Sequence, residues 1–324
     1  MSRKINNRVL LIVFLALAAI FVITRFTSVG RPEQSLRSDL GEIDTASVTA
    51  MLIYPQAEQG GELRFEREGD GWTVTHEGNT ANADSRNISS TLAELQALKA
   101  QQLVARSSER WSDYQVVDSL GTRVIVKEDN RTTMDLVVGR FQYQPPPQNS
   151  YNPYGQSRVS GKTYVRLHGE DEVYSVEGFL AMSLNQNFER WRDQSLTRLN
   201  RGQVSRIVYD YPADSGFVAE KSNGGWMVAG LMADSASMAT YLSRVSRKSH
   251  SQFKDGFQPP AEPDFRVSFE GDNMQPQQVR AYLQSDSMVV LNSSINQDSW
   301  FSVEMGSLFN DLFPPADELL GPEE

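Results

Sequence analysis

The stretch nearest to a chemical signature is GQSRVSGKT, from Gly155 to Thr163, because it ends in the Gly-Lys-Thr of a phosphate-binding loop. Such a loop needs four residues between its glycines and a helix after the threonine, whose first amides hold phosphate. Here five residues separate Gly155 from Gly161, and the run TYVRL after them reads as a strand, so no nucleotide site is expected. His76, His168 and His250 form no i, i+4 pair, whereas metal ligands must converge at about 2 Å; they read as scattered surface residues. Glu128-Asp129 and Glu170-Asp171-Glu172 fall between expected strands, where a solvated charged turn accounts for them, and no Asp-x-Asp-x-Asp-Gly loop occurs. Serine is abundant, but there is no Gly-x-Ser-x-Gly elbow and no histidine arranged to deprotonate a nucleophile. No catalytic, cofactor-binding or metal-ligating residue is assigned, and the chain is read as a non-enzyme without a cofactor.

Recognition chemistry is better represented. An insertion over 141–162 reads FQYQPPPQNSYNPYGQSRVSGK, where the second half of the chain spans the matching gap with Ser285-Asp286-Ser287 alone. Pro145, Pro146 and Pro147 stiffen it toward polyproline II and cannot join a strand ladder. Phe141, Tyr143, Tyr151 and Tyr154 offer wide contact area at low entropic cost, and the Asn and Gln residues between them supply hydrogen bonds. The segment is the candidate interaction loop; a disordered surface insertion is the competing reading. Trp72 and Trp226 could stack on a ligand, but their equivalent places after tight turns mark them as matching core residues.

The elements that would position these residues come in two series. VTAMLIYP, ending at Tyr54-Pro55, is matched by VSRIVYDYP, ending at Tyr211-Pro212, each a strand stopped by proline. Each half then has a hairpin, turning at Gly69-Asp70-Gly71 before Trp72 and at Asn223-Gly224-Gly225 before Trp226. Ala83-Asp84 and Ala233-Asp234 come next, each aspartate placed to accept backbone N–H bonds at a helix start. Apolar residues recur at helical spacing after both: Ile88, Leu92, Leu95 and Leu98, then Met238, Tyr241, Leu242 and Val245. Four strands close each series, and Ser175-Val176-Glu177 matches Ser302-Val303-Glu304. The offset falls from 157 at the Tyr-Pro pairs to 154 at the tryptophans, 150 at Ala-Asp and 127 at Ser-Val-Glu, as expected when loops change length but strand order persists. The expected fold class is α+β, with two tandem duplicated antiparallel-sheet domains over 46–195 and 200–320, each with a packed helix, joined over 192–203.

Composition and charge place these domains. A chain of 324 residues with 39% hydrophobic and 22% charged side chains has material for two cores. Every residue over 9–23 is apolar (VLLIVFLALAAIFVI), preceded by Arg3, Lys4 and Arg8 and followed by Thr24 and Arg25. The region 1–26 is expected to be a transmembrane anchor, contacting the bilayer from Val9 to Thr24, with 27–45 as a juxtamembrane linker. The flanking cations hold the N-terminus on the cytoplasmic side, which makes the chain a single-pass inner-membrane protein with its domains periplasmic. A cleaved signal peptide ending near Ser28-Val29-Gly30 is the competing reading. Without those four cations the chain carries 27 basic against 41 acidic side chains, a net of −14, which repels phosphate backbones and excludes nucleic acid as an expected partner. The absence of cysteine removes disulfides, thiolate metal sites and a cysteine nucleophile.

The order of hairpin, tryptophan, Ala-Asp-capped helix and paired strands reading YVRL and VYSV resembles the domain-of-unknown-function 4340 family of bacterial envelope proteins, over roughly 48–303. The anchor is also similar, as is Arg190-Trp191-Arg192-Asp193-Gln194-Ser195-Leu196, which resembles that family's charged segment after the first copy while departing from its Arg-Asp-Lys style. The resemblance implies a periplasm-facing protein associated with transport systems related to gliding-motility ABC transporters, and no catalytic residues. The expected function is that of a non-enzymatic accessory or scaffold protein of an envelope or ABC-type transport complex, partnered by integral membrane proteins. An extracytoplasmic ligand- or glycan-binding module is the alternative, and an unrecognised hydrolase ranks third.

Overall fold

A computed structural model of the protein describes residues 39–144, 160–222 and 224–321. The expected anchor, the linker up to residue 38, Asn223, and Pro145, Pro146, Pro147, Tyr151 and Tyr154 lie outside the described residues. Among the described residues no helix is long and apolar enough to cross a membrane.

The first half runs β1 (Ala50–Tyr54), β2 (Leu63–Glu68), β3 (Gly71–His76), β4 (Asn79–Asn82), α1 (Ser85–Gln96), β5 (Ala100–Ala105), α2 (Trp111–Tyr114), β6 (Thr122–Glu128), β7 (Arg131–Gln144), β8 (Ser160–Leu167), β9 (Val173–Glu177), α3 (Leu180–Leu184) and α4 (Phe188–Trp191). The second runs β10 (Val204–Asp210), β11 (Phe217–Ser222), β12 (Gly225–Val228), β13 (Leu231–Met232), α5 (Ser235–Val245), β14 (Phe265–Gly271), β15 (Gln277–Leu283), β16 (Met288–Ser293), β17 (Asn296–Glu304), α6 (Ser307–Leu312) and α7 (Ala316–Leu320). Their strands form a nine-stranded sheet, β4-β3-β2-β1-β6-β7-β8-β9-β5, and an eight-stranded one, β13-β12-β11-β10-β14-β15-β16-β17. Every pairing is antiparallel.

The two halves share more than strand order. Trp72 O accepts from Ala83 N at 2.8 Å, and Trp226 O accepts from Ala233 N at 2.9 Å. Asp84 N donates to Trp191 O at 2.9 Å at the end of α4, just as Asp234 N donates to Leu320 O at 3.0 Å at the end of α7. Strand β5 adds to β9 at the sheet edge, and in the second half Phe253 bridges Phe301 at the same place. The edge pairing of β5, the short strands β4 and β13, and the closing helices are additions to the elements expected from sequence. They were hidden because β4 (NTAN) and β13 (LM) carry no apolar alternation of useful length.

Each sheet buries one face under its helix. Phe65, Trp72, Val74, Val124, Leu136 and Val165 pack with Ile88, Leu92 and Leu95 of α1; Tyr209, Val228, Phe269, Leu291 and Phe301 pack with Met238, Leu242 and Val245 of α5. Trp72 and Trp226 are buried at 6% and 8% exposure, core residues as their placement implied. A smaller cluster of Tyr114, Val116, Val137 and Tyr164 covers part of the opposite face of the first sheet. There the guanidinium of Arg166 lies 3.9 Å from the Trp111 ring centre and pairs with Asp118 at 2.7 Å.

Between the sheets the chain is held from both sides. Trp191 is fully buried in the first core, edge-on to Phe65 with 5.0 Å between ring centres. Asp193 N donates to Asn82 O of β4 at 2.7 Å, while Asp193 O accepts from Asn296 Nδ2 of β17 at 2.6 Å, so one residue is bonded to both sheets. Arg192, 3% exposed, crosses to the second half, where its guanidinium lies 3.6 Å from the Phe253 ring centre and bonds both carboxylate oxygens of Asp255 at 2.8 and 2.9 Å.

Candidate functional site

Most residues singled out from sequence take structural places. Asp84 caps α1 by accepting from Arg86 N and Asn87 N, and Asp234 caps α5 by accepting from Ser237 N at 2.7 Å. Gly161-Lys162-Thr163 lies in β8, and the Thr163 hydroxyl donates to Gly178 O at 3.0 Å. Glu128 accepts from Asp44 N at 2.9 Å and from Arg131 at 2.7 Å, bonds that hold its carboxyl below the usual range. Among the described residues no three His, Asp or Glu side chains group as a metal site.

Two expectations are corrected. The insertion is shorter than 141–162, because β7 continues to Gln144 and β8 begins at Ser160. Phe141 pairs with Thr163, and Tyr143 with Gly161, as ladder residues. Phe141 stacks on Phe179 at 5.1 Å, and its ring occupies the space a Cβ at Gly161 would need. Among the described residues the ladder runs to the Gln144–Ser160 pair. Of the candidate loop only Tyr143, 52% exposed, presents a free aromatic surface among the described residues. The histidines are not all surface residues either: His76 and His250 are half-buried and bonded to the carbonyls of Glu62 at 3.0 Å and Ser302 at 2.9 Å, a use to which imidazole on a sheet margin is well suited.

The feature that sequence reading missed is a cleft of about 1230 Å³ beside α5. Its floor combines Leu199, Val204, Trp226 and Leu242 with the small side chains of Ser235, Ala239, Ser243 and Ser246, which recur along one stripe of α5 and its cap. Six cations line it: Arg198 and Arg201 before β10, Lys221 on β11, Arg247 and Lys248 after α5, and Arg86 from the first turn of α1 in the other half. Among the described residues no carboxylate does. Arg198 is committed to Asp193 at 2.6 Å, Lys248 to Asp311 at 2.5 Å, and Arg86 sits 3.7 Å from Asp84. Arg201, Lys221 and Arg247 are exposed and make no ion pair among the described residues. In a body this acidic, the cleft concentrates uncompensated positive charge around a partly apolar floor, an arrangement that attracts anionic ligands. Its residues range from 86 to 249, so no local motif announces it.

The model of the family described as "Domain of unknown function (DUF4340)" matches residues 72–264. The chain belongs to the DUF4340 family. The DUF4340 match is narrower than the resemblance over 48–303 and begins at Trp72, yet it contains both helix caps, the junction at Arg192 and Asp193, and every residue lining the cleft. No curated protein and no solved structure matches the chain.

Proposed function

We propose that this protein is a non-enzymatic docking subunit of an envelope or ABC-type transport complex, held at the outer face of the inner membrane by the segment 9–24. What supports the reading is the junction. Asp193 is bonded to both sheets and Arg192 is buried between them, so two copies that could have been left on a free linker are fastened together. Fixed relative placement of two sheets has value for presenting surface to a partner, because a preorganised surface avoids ordering costs on binding. Arg3, Lys4 and Arg8, just before 9–23, support the outward orientation.

The test is crosslinking in native membranes, then identification of the proteins recovered with the full-length chain. An integral membrane protein recovered with the intact chain, and lost when the R192A/N296A variant loosens the junction, is the expected result. Recovery of no specific membrane protein by the intact chain would overturn the reading. A protein-size measurement on the same membranes checks the tether: a chain retaining its first 30 or so residues is expected, and their loss would exclude anchoring through 9–24.

A further inference from the structure

We infer that the cleft beside α5 is the recognition site for an acidic peptide segment with interspersed apolar residues, supplied by the protein's partner; this rests on the docking reading above. The duplication itself isolates the site. In the first copy, Arg67 stands opposite Trp72 in the hairpin ladder, lays its guanidinium 5.0 Å from the indole centre and donates to Thr45 O at 2.9 Å. Gln96, twelve residues after the cap Asp84, reaches from the end of α1 to Ile43 O at 2.8 Å. These two side chains tie the helix, the hairpin and the preceding segment together. In the second copy Lys221 stands opposite Trp226, and Ser246 is twelve residues after the cap Asp234. Ser246 is too short to cross and turns its hydroxyl back to Ser243 O at 3.0 Å, and the Lys221 ammonium makes no bond among the described residues. The helix end and the preceding segment are still joined in the second copy, by the main chain, Leu199 N donating to Ser246 O at 2.8 Å, but Lys221 ties the hairpin to neither, so this copy leaves open the groove that Arg67 bridges in the other.

The chemistry of the opening points to one kind of occupant. Arg201, Lys221 and Arg247 come from three separate segments and are all exposed, unlike the desolvated donors of a buried phosphate site. The cleft exceeds the roughly 300–1,000 Å³ of small-molecule pockets, which suits a length of chain. At its margin the edge strand β13 leaves Leu231 and Met232 each 60% exposed, and Met232 packs beside Gly225 of the cleft wall. Uncompensated cations next to an adaptable apolar rim match carboxylates alternating with apolar side chains. The net charge of −14 outside the N-terminal segment opposes approach to an anionic bilayer surface as a whole, which favours a peptide over a lipid face.

The test measures binding of a labelled synthetic peptide alternating glutamate with leucine to the full-length protein in neutral detergent. Its glutamine counterpart, tripolyphosphate and phosphatidylglycerol vesicles are run in parallel. Saturable binding of the glutamate peptide, weakened by salt and absent for the glutamine peptide, is expected. R201Q/K221Q/R247Q, which breaks no ion pair, should bind at least about tenfold more weakly, and K99Q on the first copy should bind as wild type. K221R/S246Q keeps every charge but restores the bridging pair of the first copy, and should also lose at least about tenfold. Equal binding by K221R/S246Q and wild type would overturn the site, and preferential binding of tripolyphosphate or vesicles would overturn the ligand class. If membrane crosslinking recovers the same partner with wild type and with R201Q/K221Q/R247Q, docking stands and the cleft falls. If the intact chain recovers none, docking itself fails.

Discussion

Arg192 shows how much one side chain can hold. Its guanidinium is stacked on Phe253 and paired with Asp255 and Glu189, so replacement by alanine removes packing, a cation–π contact and a bidentate bond together. Asp255 is itself largely in water and is rehydrated once its partner is gone, which limits the loss; R192A is expected to cost about 2 kcal/mol in urea unfolding. R192K should recover only part, because an ammonium cannot bond two oxygens in one plane. Arg192 also holds the Asp255 carboxyl below its ordinary value of 3.8, a bond that stabilises the fold above that value and is lost as pH falls through the depressed one. Burial raises Glu189, with the opposite sign: its charged form costs stability at neutral pH, a cost relieved as it takes up a proton. The urea midpoint of D255N is therefore expected to lie below wild type at pH 7 and to converge with it as the pH is lowered past about 3.8.

At the scale of elements, the caps and the tryptophan hairpins are where local sequence and tertiary packing agree. D84A and D234A each remove the acceptor for the first amides of a helix and should each cost about 1 kcal/mol; lying in different copies, they should add to within about 0.5 kcal/mol in the double variant. Trp72 and Trp226 fill equivalent core positions, and W72A is expected to cost about 3–5 kcal/mol in the same measurement. Gly161 is fixed by the Phe141 ring, diagonal to it in the ladder: G161A should be destabilising in the wild-type background and less so when Phe141 is also truncated to alanine, which leaves only the Gln142 carbonyl, 3.1 Å from the added Cβ. A double-mutant cycle on chemical unfolding checks that coupling. Tandem aromatic and aspartate signals thus foretold hairpins and helix starts, while β4, β5 and β13 escaped because their pairing partners, not their own residues, make them strands.

As a whole, the molecule is two repeat-like antiparallel sheets fastened through a segment that a linear reading treats as a joint. Leu196 N and Thr197 N both bond Lys248 O, Ser293 Oγ donates to Leu196 O at 2.7 Å, and Asp193 bonds both sheets. Coupled halves should melt together. Scanning calorimetry of the wild type is expected to give one transition with equal calorimetric and van't Hoff enthalpies, and R192A/N296A should separate it into two. Two resolved transitions in the wild type would show that the junction does not couple the cores.

Turn glycines, helix caps, apolar periods and the repeated order of strands are set by interactions within a few residues, so the sequence alone determined two antiparallel sheets in a repeat-like order and the core roles of Trp72 and Trp226. It also carried the family, through an order of elements that needs no geometry to be seen. Tertiary structure alone decided where the open groove lies, because Arg86 lines it with Arg247 and Lys248 only after two helices and a junction have folded, and because its opening depends on what Lys221 fails to reach. It decided the extent of the Phe141 ladder for the same reason: cross-strand partners set where a strand ends, and those partners stand some twenty residues away.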